Sequence, residues 1–185
     1  AAYKTLELIR RLREREFAVR CIVTRAGAEF VTPLALASLS GERVFTDLFS
    51  LTDEAEIGHI RLSREADLVV VAPATADLIA KMAHGLADDL ASTALLATDK
   101  PVLIAPAMNA AMWAHPATQR SIAQVQADGV RLVGPNPGDM ACGESGVGRM
   151  AEPDQIVEGI EQILAAAAGL LRGMRAQGTS GATGG

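Results

Sequence analysis

The chain of 185 residues is 49% hydrophobic with a formal net charge of −5, enough apolar content for one sizeable core and no basic run to offer nucleic acid or an anionic membrane. Its two cysteines, Cys21 and Cys142, stand far apart in unlike contexts, which excludes a disulfide scaffold and fits a reducing, cytoplasmic compartment. No apolar run approaches the roughly 20 residues that cross a bilayer, and the N-terminus is polar and amphipathic rather than a signal peptide.

In chain order, Leu6, Ile9 and Leu12 recur at helical spacing, and Val19-Arg20-Cys21-Ile22-Val23-Thr24 reads as a short strand. A second helix, around Pro33 to Leu39, is closed by Gly41. After a polar loop carrying His59, Asp67-Leu68-Val69-Val70-Val71-Ala72 is a nearly continuous apolar run, the pattern of a strand covered on both faces. Helices are predicted around Leu78 to Ala83 and Leu90 to Thr98, a strand at Val102 to Ala105, a helix from about Pro116 to Ala127, and a strand at Val130 to Val133. This alternation is an α/β, doubly wound parallel sheet with helices on both faces.

Gly134 to Met150 breaks the pattern with a glycine- and proline-rich stretch, read as a long mobile loop of the kind that serves function. Pro153 then starts a closing helix with Ile156, Val157, Ile160, Ile163 and Leu164 as its apolar stripe. The folded domain is expected over residues 1–168. Residues 169–185, ending in a Gly/Ser/Thr-rich run, are expected to be a flexible tail or linker. Opening directly in a helix leaves a parallel sheet without its first, central strand, so an upstream strand is expected, together with the phosphate-binding turn that would join it to Ala1.

Several residues can carry chemistry. Pro106-Ala107-Met108-Asn109-Ala110-Ala111-Met112-Trp113 follows a buried strand at its carboxyl end, where open α/β sheets bind ligands. Asn109 has two readings, an N-cap of the next helix or an amide that orients a substrate carboxylate; Met108, Met112 and Trp113 can be ordinary core. Cys142, within Met140-Ala141-Cys142-Gly143-Glu144-Ser145-Gly146-Val147-Gly148-Arg149-Met150, is a thiol able to exchange a proton or an incidental side chain in a loop. His59 is a candidate base or a solvated histidine. Ala72-Pro73-Ala74-Thr75-Ala76-Asp77-Leu78 ends a strand and starts a helix, so its amides and the Thr75 hydroxyl can cradle an anion or a flavin edge, or simply cap a turn. Cys21 reads as core, Gly146-Val147-Gly148 is no dinucleotide fingerprint, and three scattered histidines make no metal set.

Together, Ala1-Ala2-Tyr3-Lys4 (the end of a Gly-Gly-Ile-Ala-Ala-Tyr-Lys opening), His59, Ala72 to Asp77, Pro106 to Trp113 and Ala141-Cys142-Gly143 resemble the homo-oligomeric flavin-containing cysteine decarboxylases, from Ala1 to about Leu164. The resemblance is nearest to the branch that serves coenzyme A biosynthesis. It implies FMN held by Thr24, Arg25, Ala26, Thr75, Ala76, Asp77, Leu78 and Ala107, and substrate held by Met108, Asn109, Ala141 and Gly143. Asp77 stands where many relatives carry asparagine, and an ionised carboxylate cannot donate a hydrogen bond, so its backbone is the better contact.

The implied reaction is decarboxylation of phosphopantothenoylcysteine. A cysteine carboxylate lacks an electron sink at its β-carbon, and the cofactor supplies one by oxidising the carbon bearing sulfur to a thioaldehyde. Loss of carbon dioxide gives an enethiol, which is reduced again to phosphopantetheine. His59 is implied as base, Asn109 as carboxylate clamp and Cys142 as proton donor for the last step. Two alternatives stand beside this reading: an oxidative peptidyl-cysteine decarboxylase that stops at the enethiol, and a flavin-binding regulatory subunit that inhibits a phosphatase. The resemblance further implies homotrimers, or dodecamers built from trimers, and a fused phosphopantothenate–cysteine ligase.

Overall fold

A computed structural model describes residues 1–46, 61, 62, 64–139, 143 and 145–179, with the backbone alone for 171–179. Helix α1 (Ala2–Glu14) buries Lys4, Leu8, Ile9 and Leu12, one face at helical spacing. Helices α2 (Arg25–Ala28) and α3 (Pro33–Ser40) follow, capped by Thr24 and Thr32, whose hydroxyls accept the N–H of Gly27 and Ala35. Gly41 ends α3 at φ 74°, a left-handed conformation that a Cβ disfavours.

Strands β1 (Val69–Ala74), β2 (Val102–Pro106) and β3 (Arg131–Leu132) form a parallel sheet in that spatial order. Parallel neighbours need long crossovers. Helices α4 (Ala76–His84) and α5 (Leu90–Ala97) supply the first, α6 (Ala110–Ala114) and α7 (Pro116–Ala127) the second.

Side chains of β2 alternate between two cores. Leu103 and Ala105 pack with Leu8 and Leu12 of α1 and with Ile156, Val157 and Ile160 of α8 (Pro153–Thr179). Ile104 packs on the other face with Ile79 of α4 and with Ile122 and Val125 of α7. Leu103 and Ile104 are almost wholly buried, which contributes roughly 1.5–3 kcal/mol for each such side chain. Helices therefore cover both faces, as the doubly wound reading requires. A third cluster, Ile9, Val23, Val31 and Leu36, fills the space under α1 and α3.

The run Val19 to Thr24 departs from its predicted strand. It makes a single parallel bridge, Ile22 to Phe45, in which the Val23 N–H donates to the Phe45 carbonyl at 3.0 Å and the Phe45 N–H to the Cys21 carbonyl at 2.9 Å. Among the described residues it forms no ladder with β1, which is an edge of the three-stranded sheet. Cys21 packs in the third cluster, and burial pushes its thiol pKa up, the behaviour of a core residue with little thiolate.

Within Gly134 to Met150, the described residues hold more regular structure than the composition predicts. They form an antiparallel hairpin, β4 (Asn136–Asp139) and β5 (Ser145–Arg149), with a register shift at Asn136/Pro137. Proline and glycine hide the pairing from a propensity reading, because here Pro137 sits at the irregularity where a ladder donor is least needed. Helix α8 also outruns its apolar stripe: the backbone stays helical to Thr179, helped by the run Ala165 to Ala168, the best helix former at four successive positions.

Helix α8 lies close on the sheet because residue 159 is glycine. A Cβ there would stand 2.8 Å from Val133 Cγ2 and 3.1 Å from Leu103 Cδ1. Gly159→Val is expected to lower unfolding stability by about 1–3 kcal/mol through overpacking, read as an earlier urea midpoint; an unchanged midpoint would contradict the close packing of α8.

Candidate active site

The carboxyl ends of β1 and β2 run directly into two helix-capping turns. At the end of β1, Ala74 is fully buried and Thr75 takes an extended conformation whose hydroxyl accepts the Leu78 N–H at 3.2 Å. That cap satisfies one of the unpaired N–H groups at the start of α4; those of Ala76 and Asp77, in the first turn, have no acceptor within the helix. The Asp77 carboxylate is turned away to Lys81, with Oδ2 3.1 Å from Nζ, an i,i+4 pair. Lys81 also meets Asp88 at 3.1 Å, and both carboxylates raise its pKa. The Asp77 side chain thus serves the helix, while its backbone N–H has no acceptor within it.

At the end of β2, Pro106 is buried, Ala107 and Met108 are half-buried and Asn109 is exposed. The Ala107 N–H donates to the Ala74 carbonyl at 3.0 Å, so the two turns are fastened side by side. Asn109 is the N-cap of α6, its Oδ1 accepting the Met112 N–H at 2.7 Å. Its amide oxygen is committed to the helix, and Nδ2 meets no acceptor among the described residues. The N-cap reading of Asn109 therefore holds, and the cap does not use the two N–H donors of its amide. Met108 and Trp113 pack against the Ile104 core, whereas Met112 is exposed.

The third component is the hairpin. The Met108 N–H donates to the Gly148 carbonyl at 2.9 Å, which sets β5 against the Asn109 turn. Gly143, between the strands in sequence, has φ 82°, and a Cβ there would meet no atom of the described residues within 4 Å. His59, Ala141 and Cys142 lie outside the described residues. Thr24, Arg25 and Ala26 sit past the Ile22 bridge, with Thr24 capping α2; no described contact joins them to the Thr75 or Asn109 turns.

Lys4 was legible only as part of a motif, yet it is a structural anchor. Its side chain is 8% exposed, with Nζ 2.7 Å from Glu152 Oε1 and 3.3 Å from the Met150 carbonyl. Arg149 donates to the same Glu152 oxygen at 2.8 Å, and these cations lower the Glu152 pKa, the Lys4 hydrogen bond most. The end of β5 is thereby tied to α1. A cavity of about 470 Å³ lined by Met82, Leu95, Val102, Val125 and Val130 opens at the amino ends of β2 and β3 and is separate from these turns. Among the described residues no helix is long and apolar enough to cross a membrane.

The flavoprotein family model matches residues 1–165. The chain belongs to the flavoprotein family. The coenzyme A biosynthesis bifunctional protein CoaBC of Haemophilus influenzae is 49% identical to this flavoprotein over 156 residues, 84% of the chain and 39% of the relative. The protein of the same name from Escherichia coli is 49% identical over 158 residues, 85% of the chain and 39% of the relative. The chain thus spans about two fifths of the length of these curated relatives. Among solved structures, a cysteine-to-serine mutant of PPC decarboxylase complexed with pantothenoylaminoethenethiol superposes with a TM-score of 0.75 at 34% identity, covering 87% of this chain and 90% of that one. The FMN-dependent cysteine decarboxylase SpaF superposes with a TM-score of 0.76 at 32% identity, covering 90% of each chain.

Proposed function

We propose that this flavoprotein binds FMN and decarboxylates phosphopantothenoylcysteine to phosphopantetheine, as the cytoplasmic decarboxylase part of a coenzyme A biosynthesis protein. The observation that carries the reading is Asn109: an exposed amide at the carboxyl end of β2, its oxygen held by Met112 and its donors without an acceptor among the described residues. Similarity at 49% to the bifunctional proteins supports the substrate and a fused ligase, and the likeness to solved FMN-dependent decarboxylases supports the cofactor.

The residues at the two turns suit FMN. The Ala76 and Asp77 N–H groups lack intrahelical acceptors, the Thr75 oxygen accepts from Leu78 so that its own hydrogen can be donated, and the small side chains of Ala76 and Ala107, both half-buried, leave the backbone approachable. Thr75, Ala76, Asp77, Leu78 and Ala107 would hold one side of the cofactor, with Thr24, Arg25 and Ala26 supplying another. When bound, FMN supplies the redox sink that a cysteine carboxylate lacks.

The protein's own groups do the rest. Asn109 Nδ2 donates to the substrate carboxylate and holds the breaking bond in one orientation. Met108 packs beside it and, with Ala141 and Gly143, bounds the substrate. His59 takes the thiol proton, and Cys142 returns a proton to the enethiol; with the two electrons taken up in the oxidation given back by the bound cofactor, which would serve as both sink and source, carbon dioxide would be the only net loss. Assembly into trimers, or dodecamers of trimers, belongs to the same proposal. FMN-loaded protein is expected to release carbon dioxide from phosphopantothenoylcysteine with no added reductant; flavin binding without any release would favour a regulatory binding module.

A further inference from the structure

Gly148 is buried in β5 with its backbone pressed on the turn that carries Asn109. A Cβ at this position would stand 2.2 Å from the Met108 carbonyl oxygen and 3.3 Å from the Asn109 carbonyl carbon, and its φ is +156°. The obstruction is backbone, which cannot swing aside as a flexible side chain would. The same approach forms the hydrogen bond from the Met108 N–H to the Gly148 carbonyl. On its other side the strand end is fixed by Lys4, whose Nζ reaches Met150 O and Glu152, and by Arg149 on Glu152. The Asn109 turn is therefore held from three directions: by its own cap on Met112, by Ala107 on Ala74, and by Gly148 on Met108.

We infer that Gly148 is a positioning residue: its missing side chain lets the β4–β5 hairpin fasten the Met108–Asn109 backbone, and so fixes where the Asn109 amide donors point. This rests on the carboxylate-clamp role proposed for Asn109. Glycine within a strand commonly marks such a close backbone approach, and a clamp displaced by about 1 Å loses roughly 10²-fold in rate. Gly148 touches no substrate; it acts through Asn109.

The test uses the FMN-loaded protein as wild type, Gly148→Ala, Asn109→Asp, the double variant, Lys4→Met and Val147→Ala. Gly148→Ala is expected to keep its flavin, to lose roughly 10²-fold in kcat per bound flavin, and to exchange the Met108 amide hydrogen at least about tenfold faster than wild type. Added to Asn109→Asp, it is expected to cost nothing further, because both changes remove one function; a merely structural glycine would lower both backgrounds equally. Val147, exposed on the same strand, is expected to tolerate alanine with unchanged turnover. Wild-type kcat or unchanged Met108 exchange in Gly148→Ala overturns the inference, as does a full additive loss in the double variant. Should Gly148→Ala yield no folded protein, Lys4→Met releases the same strand end without a clash, and it must speed Met108 exchange and lower kcat for the inference to stand. If wild type itself does not turn over, the proposed function fails, and the exchange comparison still judges the Gly148 contact.

Discussion

Asn109→Asp is expected to leave the fold intact and to lower kcat/KM by about 10²–10³, the cost of removing one well-placed donor from a reacting oxyanion. An aspartate oxygen accepts the Met112 N–H as the asparagine oxygen does, aspartate is as good an N-cap, and a negative charge at a helix N-terminus is favourable. The melting temperature should therefore move by less than about 3 °C. What disappears is the pair of Nδ2 donors, replaced by a charge that repels the substrate carboxylate. Asn109→Ala separates the two duties, since it loses the donors and also costs about 1 kcal/mol of cap. Steady-state kinetics beside thermal melts decide the point. An aspartate variant of wild-type activity would refute the clamp, and one that fails to fold would refute the cap-only account of the Asn109 oxygen.

Cys142→Ala is expected to change what is made as well as how fast. A thiol with an ordinary pKa near 8.5 is mostly protonated at neutral pH and can donate, and Cys142 falls in sequence between β4 and β5, the second of which rests on Met108. Without that donor the cycle should stop at the enethiol. Mass analysis should find a product lacking carbon dioxide and two hydrogens, with the saturated product at least about 10²-fold slower to appear, the contribution typical of a positioned acid. Saturated product at the wild-type rate would remove Cys142 from the mechanism and assign the last proton elsewhere.

Much of this arrangement was legible in the residues because the signals were local and repeated. Val69 to Ala74 and Val102 to Pro106 are continuous apolar runs, and they form neighbouring strands of the parallel sheet; the helix expected from about Pro116 to Ala127 spans those residues, with its proline at N1. Asn109, Thr75 and Ala107 stand out in the sequence because they follow apolar runs, and the structure puts them at the carboxyl ends of β1 and β2, where open sheets gather ligands. What stayed hidden was short or tertiary. Helices α2 and α6, of 4 and 5 residues, are too brief to show a period. The β4–β5 hairpin was masked by Pro137, Gly138 and Gly146, residues that propensity assigns to loops. The apolar run at Val19 to Thr24 predicted a strand, but among the described residues its ladder is one bridge to Phe45. Gly146-Val147-Gly148 was rightly rejected as a dinucleotide fingerprint, yet the use of Gly148 depends on Met108, 40 residues away by numbering, which no local pattern encodes. Lys4 likewise looks like a solvated helix residue until Glu152 and Met150 are folded onto it.

The measurement that tests the central claim most directly is anaerobic incubation of the FMN-loaded protein with phosphopantothenoylcysteine, followed by mass analysis of the product. Loss of carbon dioxide alone, catalytic in flavin and with no added reductant, is the predicted result. Loss of carbon dioxide plus two hydrogens, stopping after one equivalent per flavin, would contradict it and make the chain an oxidative cysteine decarboxylase.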